Sequence, residues 1–203
     1  MNEKASGQPT FFGIGGVLLL YFSTLVSFEL AGLFRNLFAA SFRDYYVPPI
    51  SLLVVIIVGI LLRPKMLNQS RWKPRVIDIA IGVLAGGLVL VLEFLAERNS
   101  HRFLGPLPER TFVPIVILAP IIEEVFFRGI LLRSLREHFP PWMAIALVAL
   151  LAALGHTNFW VDLPAQLVLS VAYISTGNSL AASVTAHITT NMAVFLLARA
   201  AVA

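Results

Sequence analysis

The sequence predicts an all-α protein, a polytopic bundle of about 6–8 transmembrane helices. Three observations carry that prediction. First, 58% of the 203 residues are hydrophobic and only 13% are charged, with a mean hydropathy of +0.85. That leaves far less polar surface than a soluble domain needs. Second, apolar stretches near the ~20 residues needed to cross a bilayer recur along the whole length. Third, the basic residues gather between those stretches, so the net charge of +4 speaks for orientation in a membrane and not for nucleic acid as a partner. The chain has no cysteine, which excludes disulfides, thiolate metal sites and a cysteine nucleophile.

The first candidate span, Phe11–Phe34, follows a short polar start and has no small-residue cleavage site, so it reads as a retained helix and not a signal peptide. Val47–Leu62 is the second. The connection after it, "RPKMLNQSRWKPR", holds Arg63, Lys65, Arg71, Lys73 and Arg75 with no acid, which marks it as cytoplasmic. Val76–Leu95 is the third span, and alternation puts "ERNSHRFLGPLPER" outside and the N-terminus inside. The fourth, Phe112–Leu132, is followed by "RSLREHFPP" on the inside. Trp142–Leu154 and Leu163–Ile174 are short for a crossing, and Leu180–Leu197 ends the series. The expectation is a multi-pass protein of a bacterial-type cell membrane, with the lipid bilayer as its permanent partner. Pro114, Pro141 and Pro164 stand near helix starts, where a missing N–H costs little. Pro120 falls inside the fourth span and should bend it or loosen its hydrogen bonding; neighbouring helices or water must then satisfy the freed backbone.

The fourth span contains "APIIEEVFFRG", Ala119 to Gly129, which places three charges where lipid is expected. One ionisable side chain at a helix centre costs about 2.5–3.5 kcal/mol on insertion scales. Glu124 and Arg128 stand i, i+4 with the acid first, the favourable order for a helical ion pair. Glu123 points about 100° away around the helix. It needs a partner from another segment or must hold a proton. Helix packing alone would be served more cheaply by Ser, Thr or Asn.

Two histidines are placed to complete a site. The chain reverses at Pro140–Pro141, with Glu123 17 residues before Pro140 and His156 15 residues after Pro141. Near-equal counts in an antiparallel pair give nearly equal depth, so the two can face each other. The bland alternative for His156 is an interfacial histidine beside Phe159 and Trp160. On the last span His187 and Asn191 are i, i+4 and share one face, able to donate hydrogen bonds to a developing oxyanion or simply to join helices. Thr189 and Thr190 receive no role, and His101 and His138 read as loop residues. A carboxylate base, a facing histidine and a His/Asn donor pair are the parts of peptide hydrolysis. There is no H-E-x-x-H, no G-x-S-x-G and no pair of intramembrane aspartates, since Asp78 starts its span and Asp162 lies in a loop.

These residues resemble the CPBP family, which holds the type II CAAX prenyl proteases and bacteriocin-processing enzymes. "EEVFFR" supplies its Glu-Glu-x-x-x-Arg motif as Glu123, Glu124 and Arg128, and "HITTN" its His-x-x-x-Asn motif as His187 and Asn191. The Phe-x-x-x-His motif is imperfect, with His156 in place but Ala152 where the family usually has Phe. The resemblance covers about Thr111–Leu197. It implies a catalytic membrane core at residues 111–198, preceded by three N-terminal spans in residues 1–110. It further implies that Glu123 and His156 activate water, that His187 and Asn191 form the oxyanion site, and that Glu124 and Arg128 support them. The implied activity is intramembrane hydrolysis of a peptide bond in a membrane-associated, prenylated or exported peptide or protein substrate. A divalent metal such as zinc has been associated with the family. Here only His156, His187 and Glu123 or Glu124 are available as ligands, and the metal-free glutamate mechanism is slightly favoured. The rival reading is a transporter or binding protein whose buried charges carry protons or an ion. One depth argument runs against a cytosolic prenylated tail: with the Pro140 turn in the cytoplasm, Glu123 lies roughly 25 Å away, nearer the outer face. The motif is weighted above that depth.

Overall fold

The computed structural model describes residues 40–62, 70–97, 107–156 and 158–200, with isolated positions between 15 and 26. The span Phe11–Phe34 and His101 therefore lie outside the described residues, isolated positions apart. Every extended element among the described residues is a helix; the single β feature is an isolated bridge between Arg71 and Ser179. The helices are α1 (Ala40–Leu62), α2 (Val76–Glu97), α3 (113–136, continuous but of mixed pitch), α4 (Pro141–Leu154), α5 (Phe159–Ser175) and α6 (Leu180–Ala200). A short turn, Glu109–Thr111, leads into α3.

Two stretches, Val76–Ala96 and Leu180–Ala200, are long and apolar enough to cross a membrane, and Pro141–Leu154 and Phe159–Ser175 are shorter apolar helices. Helix α1 starts seven residues before the apolar run at Val47 because Ala40–Tyr46 continue it despite their polarity. Helix α5 likewise begins at Phe159, so Asp162 sits in its first turn and not in a loop. An acid there is favoured by the helix dipole, a local signal that the apolar count overlooked. On α2, Ile77, Leu84, Leu88, Val91 and Leu95 lie exposed along the helix, a face suited to hydrocarbon.

Helix α3 runs through the centre, and Phe126 to Leu132 are all buried. Its pitch changes around Pro120. Residues 113–118 form a wide π turn in which the Ala119 N–H bonds the Pro114 carbonyl. The next donor in that register would be residue 120, and proline has none. The Ile115 carbonyl it would have served instead accepts from Asn191 Nδ2 of α6 at 2.9 Å. A side chain from another helix thus satisfies the group that proline frees.

Helices α2 and α6 touch backbone to backbone through Gly82 and Gly86. A Cβ on Gly86 would lie 2.5 Å from the Ala186 carbonyl oxygen and 2.7 Å from Thr189 Cβ; on Gly82 it would lie 2.6 Å from the Ala182 oxygen. This is the small-xxx-small approach of membrane helices. Thr190, which the sequence left without a role, donates across this seam to the Gly86 carbonyl at 3.0 Å. The rotation of α6, and with it the direction of His187 and Asn191, is set by that contact.

One end of the bundle is laced by arginines. Asp78, fully buried, takes Arg71 at 2.6 and 2.7 Å and Arg75 Nη2 at 3.0 Å. Both guanidiniums also donate to the Thr176 carbonyl, at 2.7 and 3.0 Å. The α5–α6 turn uses Gly177 and Asn178 with φ of 75° and 61°, the left-handed region that glycine and asparagine tolerate best. Asn178 is held by the Arg71 N–H at 2.9 Å and by Arg136 at 2.7 Å.

Candidate active site

Glu123 and Glu124 are neighbours on the central helix, and the turn of about 100° between them sends them into different surroundings. Glu124 faces inward. Its Oε1 accepts from Arg128 Nη1 at 3.0 Å, with both side chains fully buried. Arg128 spends its other terminal nitrogen, Nη2, on α5, reaching Gln166 Oε1 at 2.7 Å, the Gln166 carbonyl at 2.8 Å and Ser170 Oγ at 3.4 Å. Gln166 and Ser170 were not singled out in the sequence, although a lone amide in an apolar helix was a visible signal.

Glu123 faces a cavity of about 260 Å³ together with His156, His187 and Asn191. Its Oε2 lies 3.9 Å from His156 Nε2 and 3.9 Å from His187 Nε2. Those gaps exceed a direct hydrogen bond and leave room for one bridging water. The side chains stay partly accessible, at 23% for Glu123 and 30% for His156.

The outward nitrogens are selected by the inward ones. His156 Nδ1 lies 2.8 Å from the Ala152 carbonyl, which only accepts, so Nδ1 carries a hydrogen and Nε2 is the nitrogen that faces Glu123, with a lone pair in the neutral ring. Ala152, fully buried, therefore orients this ring through its backbone. His187 Nδ1 lies 3.0 Å from Glu124 Oε1, and since Arg128 keeps that carboxylate as an acceptor, the same logic turns His187 Nε2 towards Glu123. His187 can donate to an oxyanion from Nε2 only when its ring holds both hydrogens. Asn191 spends one amide hydrogen on Ile115 and retains a second for the cavity it lines.

Two more carboxylates, Glu93 of α2 and Asp162 of α5, line the same cavity. His138 is exposed beyond the arginine-laced end of α3. A tetrahedral zinc with bonds near 2.1 Å needs donors about 3.4 Å apart. The 3.9 Å separations are wider, and among the described residues no group of three or more His, Cys, Asp or Glu side chains is arranged to hold a metal ion. These residues as placed do not fit a zinc site.

Residues 108–193 match the family model described as Type II CAAX prenyl endopeptidase Rce1-like. All six residues named above from the charged motifs fall inside that match, and α1 and α2 fall outside it. No curated protein and no solved structure matches the chain.

Proposed function

From the match of residues 108–193 to the type II CAAX prenyl endopeptidase Rce1-like model, we propose that this chain is a multi-pass intramembrane endopeptidase whose base is Glu123. The observation that carries the reading is the single carboxylate oxygen held 3.9 Å from two histidine nitrogens in one cavity. In this reading residues 111–198 are the catalytic core and residues 1–110 its N-terminal helices, with α2 contributing Val89 and Glu93 to the cavity wall.

Glu123 and His156 Nε2 hold a water between them. Glu123 takes one of its protons as the oxygen attacks the scissile carbonyl carbon, and the carbonyl π pair moves onto oxygen. The free amide hydrogen of Asn191 meets that oxyanion, joined by His187 Nε2 when the ring is doubly protonated. Collapse of the tetrahedral intermediate expels the amine, which takes the proton back from Glu123. Glu124 and Arg128 do no chemistry; they hold His187 and the central helix at the required angle. The substrate is a peptide segment reaching the cavity from within or beside the bilayer, and the membrane is of the bacterial cell type with the N-terminus in the cytoplasm.

The test compares cells lacking the protein with cells restored by the wild type or by Glu123→Gln. Membrane or exported polypeptides that accumulate uncleaved, and are cleaved again only with the wild type, support the peptidase. Altered ion or solute flux with no cleavage difference would instead support transport.

A further inference from the structure

We propose that the cavity opens on the face of the membrane away from the cytoplasm, so that its substrate is a polypeptide segment presented from outside and not a prenylated tail presented in the cytosol. The inference rests on the reading of the chain as a membrane peptidase, and it comes from comparing the two ends of the bundle.

Contacts define which loops share an end. Arg71 and Arg75 bind the Thr176 carbonyl, and Arg136 binds Asn178. The start of α2, the end of α3 and the α5–α6 turn therefore lie together. At the other end, Arg199 in the last turn of α6 pairs at 2.8 Å with Glu109, just before α3. The α4–α5 connection with His156 lies at that end too, because α4 and α5 run away from and back to the arginines.

The cavity belongs to the second end. Pro114 and Ile115 begin α3, Asp162 begins α5, Glu93 is one turn from the end of α2, and His156 follows α4. Of its lining on α5 and α6, Leu169 and His187 stand nearest the arginine end. Leu169 stands six residues before Ser175 and His187 seven after Leu180, so about 9–10 Å of helix separates them from the arginine end. That stretch is filled. Arg128, Glu124 and Ser170 are fully buried beneath the cavity, and Tyr173 and Leu132 below them have no exposure. A substrate thus has no path to Glu123 from the arginine end.

The charge distribution orients the whole. Among the described residues, five Lys and Arg stand at the arginine end (Arg71, Lys73, Arg75, Arg133, Arg136), and three at the other (Arg43 in the first turn of α1, Arg110, Arg199). An excess of Lys and Arg in short loops marks the cytoplasmic side. The closed end is then cytoplasmic and the open end faces outward, in agreement with the depth of Glu123 counted from Pro140.

The absence of cysteine makes the test direct, since each introduced thiol is unique. Lys73→Cys reports the arginine end and Trp160→Cys, at a position 77% exposed, the cavity end; neither residue belongs to the proposed machinery. A membrane-impermeant maleimide should label Trp160→Cys in intact cells and Lys73→Cys only after permeabilisation. Glu109→Cys serves as a second reporter of the cavity end if Trp160→Cys is poorly produced. The opposite pattern overturns the proposal. Labelling needs no activity, so its result stands even if no polypeptide is found to be cleaved, which would count against the peptidase alone. Where cleaved polypeptides are found, product sequencing should place their scissile bonds outside the cytoplasm, and cytosolic scissile bonds would also overturn it.

Discussion

The two halves of the central cluster are built from the same residue types and treat charge in opposite ways. Below, Glu124 and Arg128 are sealed from solvent and bound to each other, to Gln166 and to His187, with only Glu124 Oε2 and Arg128 Nε left without a hydrogen bond. Above, Glu123 and His156 stay partly open and stop 3.9 Å short of each other. A single step along α3 separates the acids. The difference teaches that pairing, not burial alone, distinguishes a structural carboxylate from a reactive one: the sealed acid binds Arg128 and His187 through Oε1, whereas the open acid makes no direct bond to the histidines it faces and stands at a distance that a water can bridge.

The largest effect expected from breaking this contrast is on the sealed side. Arg128→Ala removes the cationic partner of a fully buried carboxylate and takes the donor from Gln166 Oε1, at a cost of about 3–5 kcal/mol. The folded yield and melting temperature in detergent should both fall steeply, and unchanged melting would remove Glu124–Arg128 from the structural role. Next comes the open side. Glu123→Gln preserves size and hydrogen bonding, so melting should stay close to the wild type, while peptide cleavage falls by about 10²–10⁴-fold. A stable, active Glu123→Gln protein would exchange the roles of the two acids.

What was legible in the sequence divides along similar lines. The Glu124–Arg128 pair is a local spacing, readable from one helix. The meeting of Glu123 and His156 was legible from the near-equal counts around Pro140–Pro141; their chemical roles remain the proposal above. Pro120 signalled an unsatisfied carbonyl, but nothing local says that the donor is Asn191, 76 residues away. Gly82, Gly86 and Thr190 became informative only once α2 and α6 were seen in contact, because a close approach is a property of two helices. Asp162 reads as a loop residue because its polarity interrupts the apolar count, yet it stands in the first turn of α5, where acids are favoured.

Asn191 sharpens the comparison because it serves both halves. One amide hydrogen repairs α3 at Ile115 and the other faces the cavity. Asn191→Ala should lower stability by about 1–3 kcal/mol, the penalty for an unsatisfied buried group. It should also slow cleavage by the fully folded fraction. Lower melting with an unchanged rate per folded molecule would make the residue a tie and nothing more. An unchanged melting point with a slower rate would make it an oxyanion donor alone.

The smallest effect is expected from chelation, and it tests whether the open half is as simple as it looks. A catalytic zinc would need three protein ligands and an open position, with each histidine donating its other N–H to an acceptor. The last condition is met, since both Nδ1 atoms are engaged, one by Ala152 and one by Glu124. The same bonds equally orient a histidine that handles water directly, so the donor spacing has to discriminate. Nε2 atoms 3.9 Å from Oε2 suit a bridging water and are wider than the ~3.4 Å edge of a zinc tetrahedron. Purified protein should therefore keep its cleavage rate through exhaustive chelation and carry no stoichiometric zinc by elemental analysis. About one zinc per chain, lost together with activity and restored by zinc alone, would overturn this. It would make His156 and His187 ligands and show that the open half closes around a metal by the few tenths of an ångström that separate the two geometries.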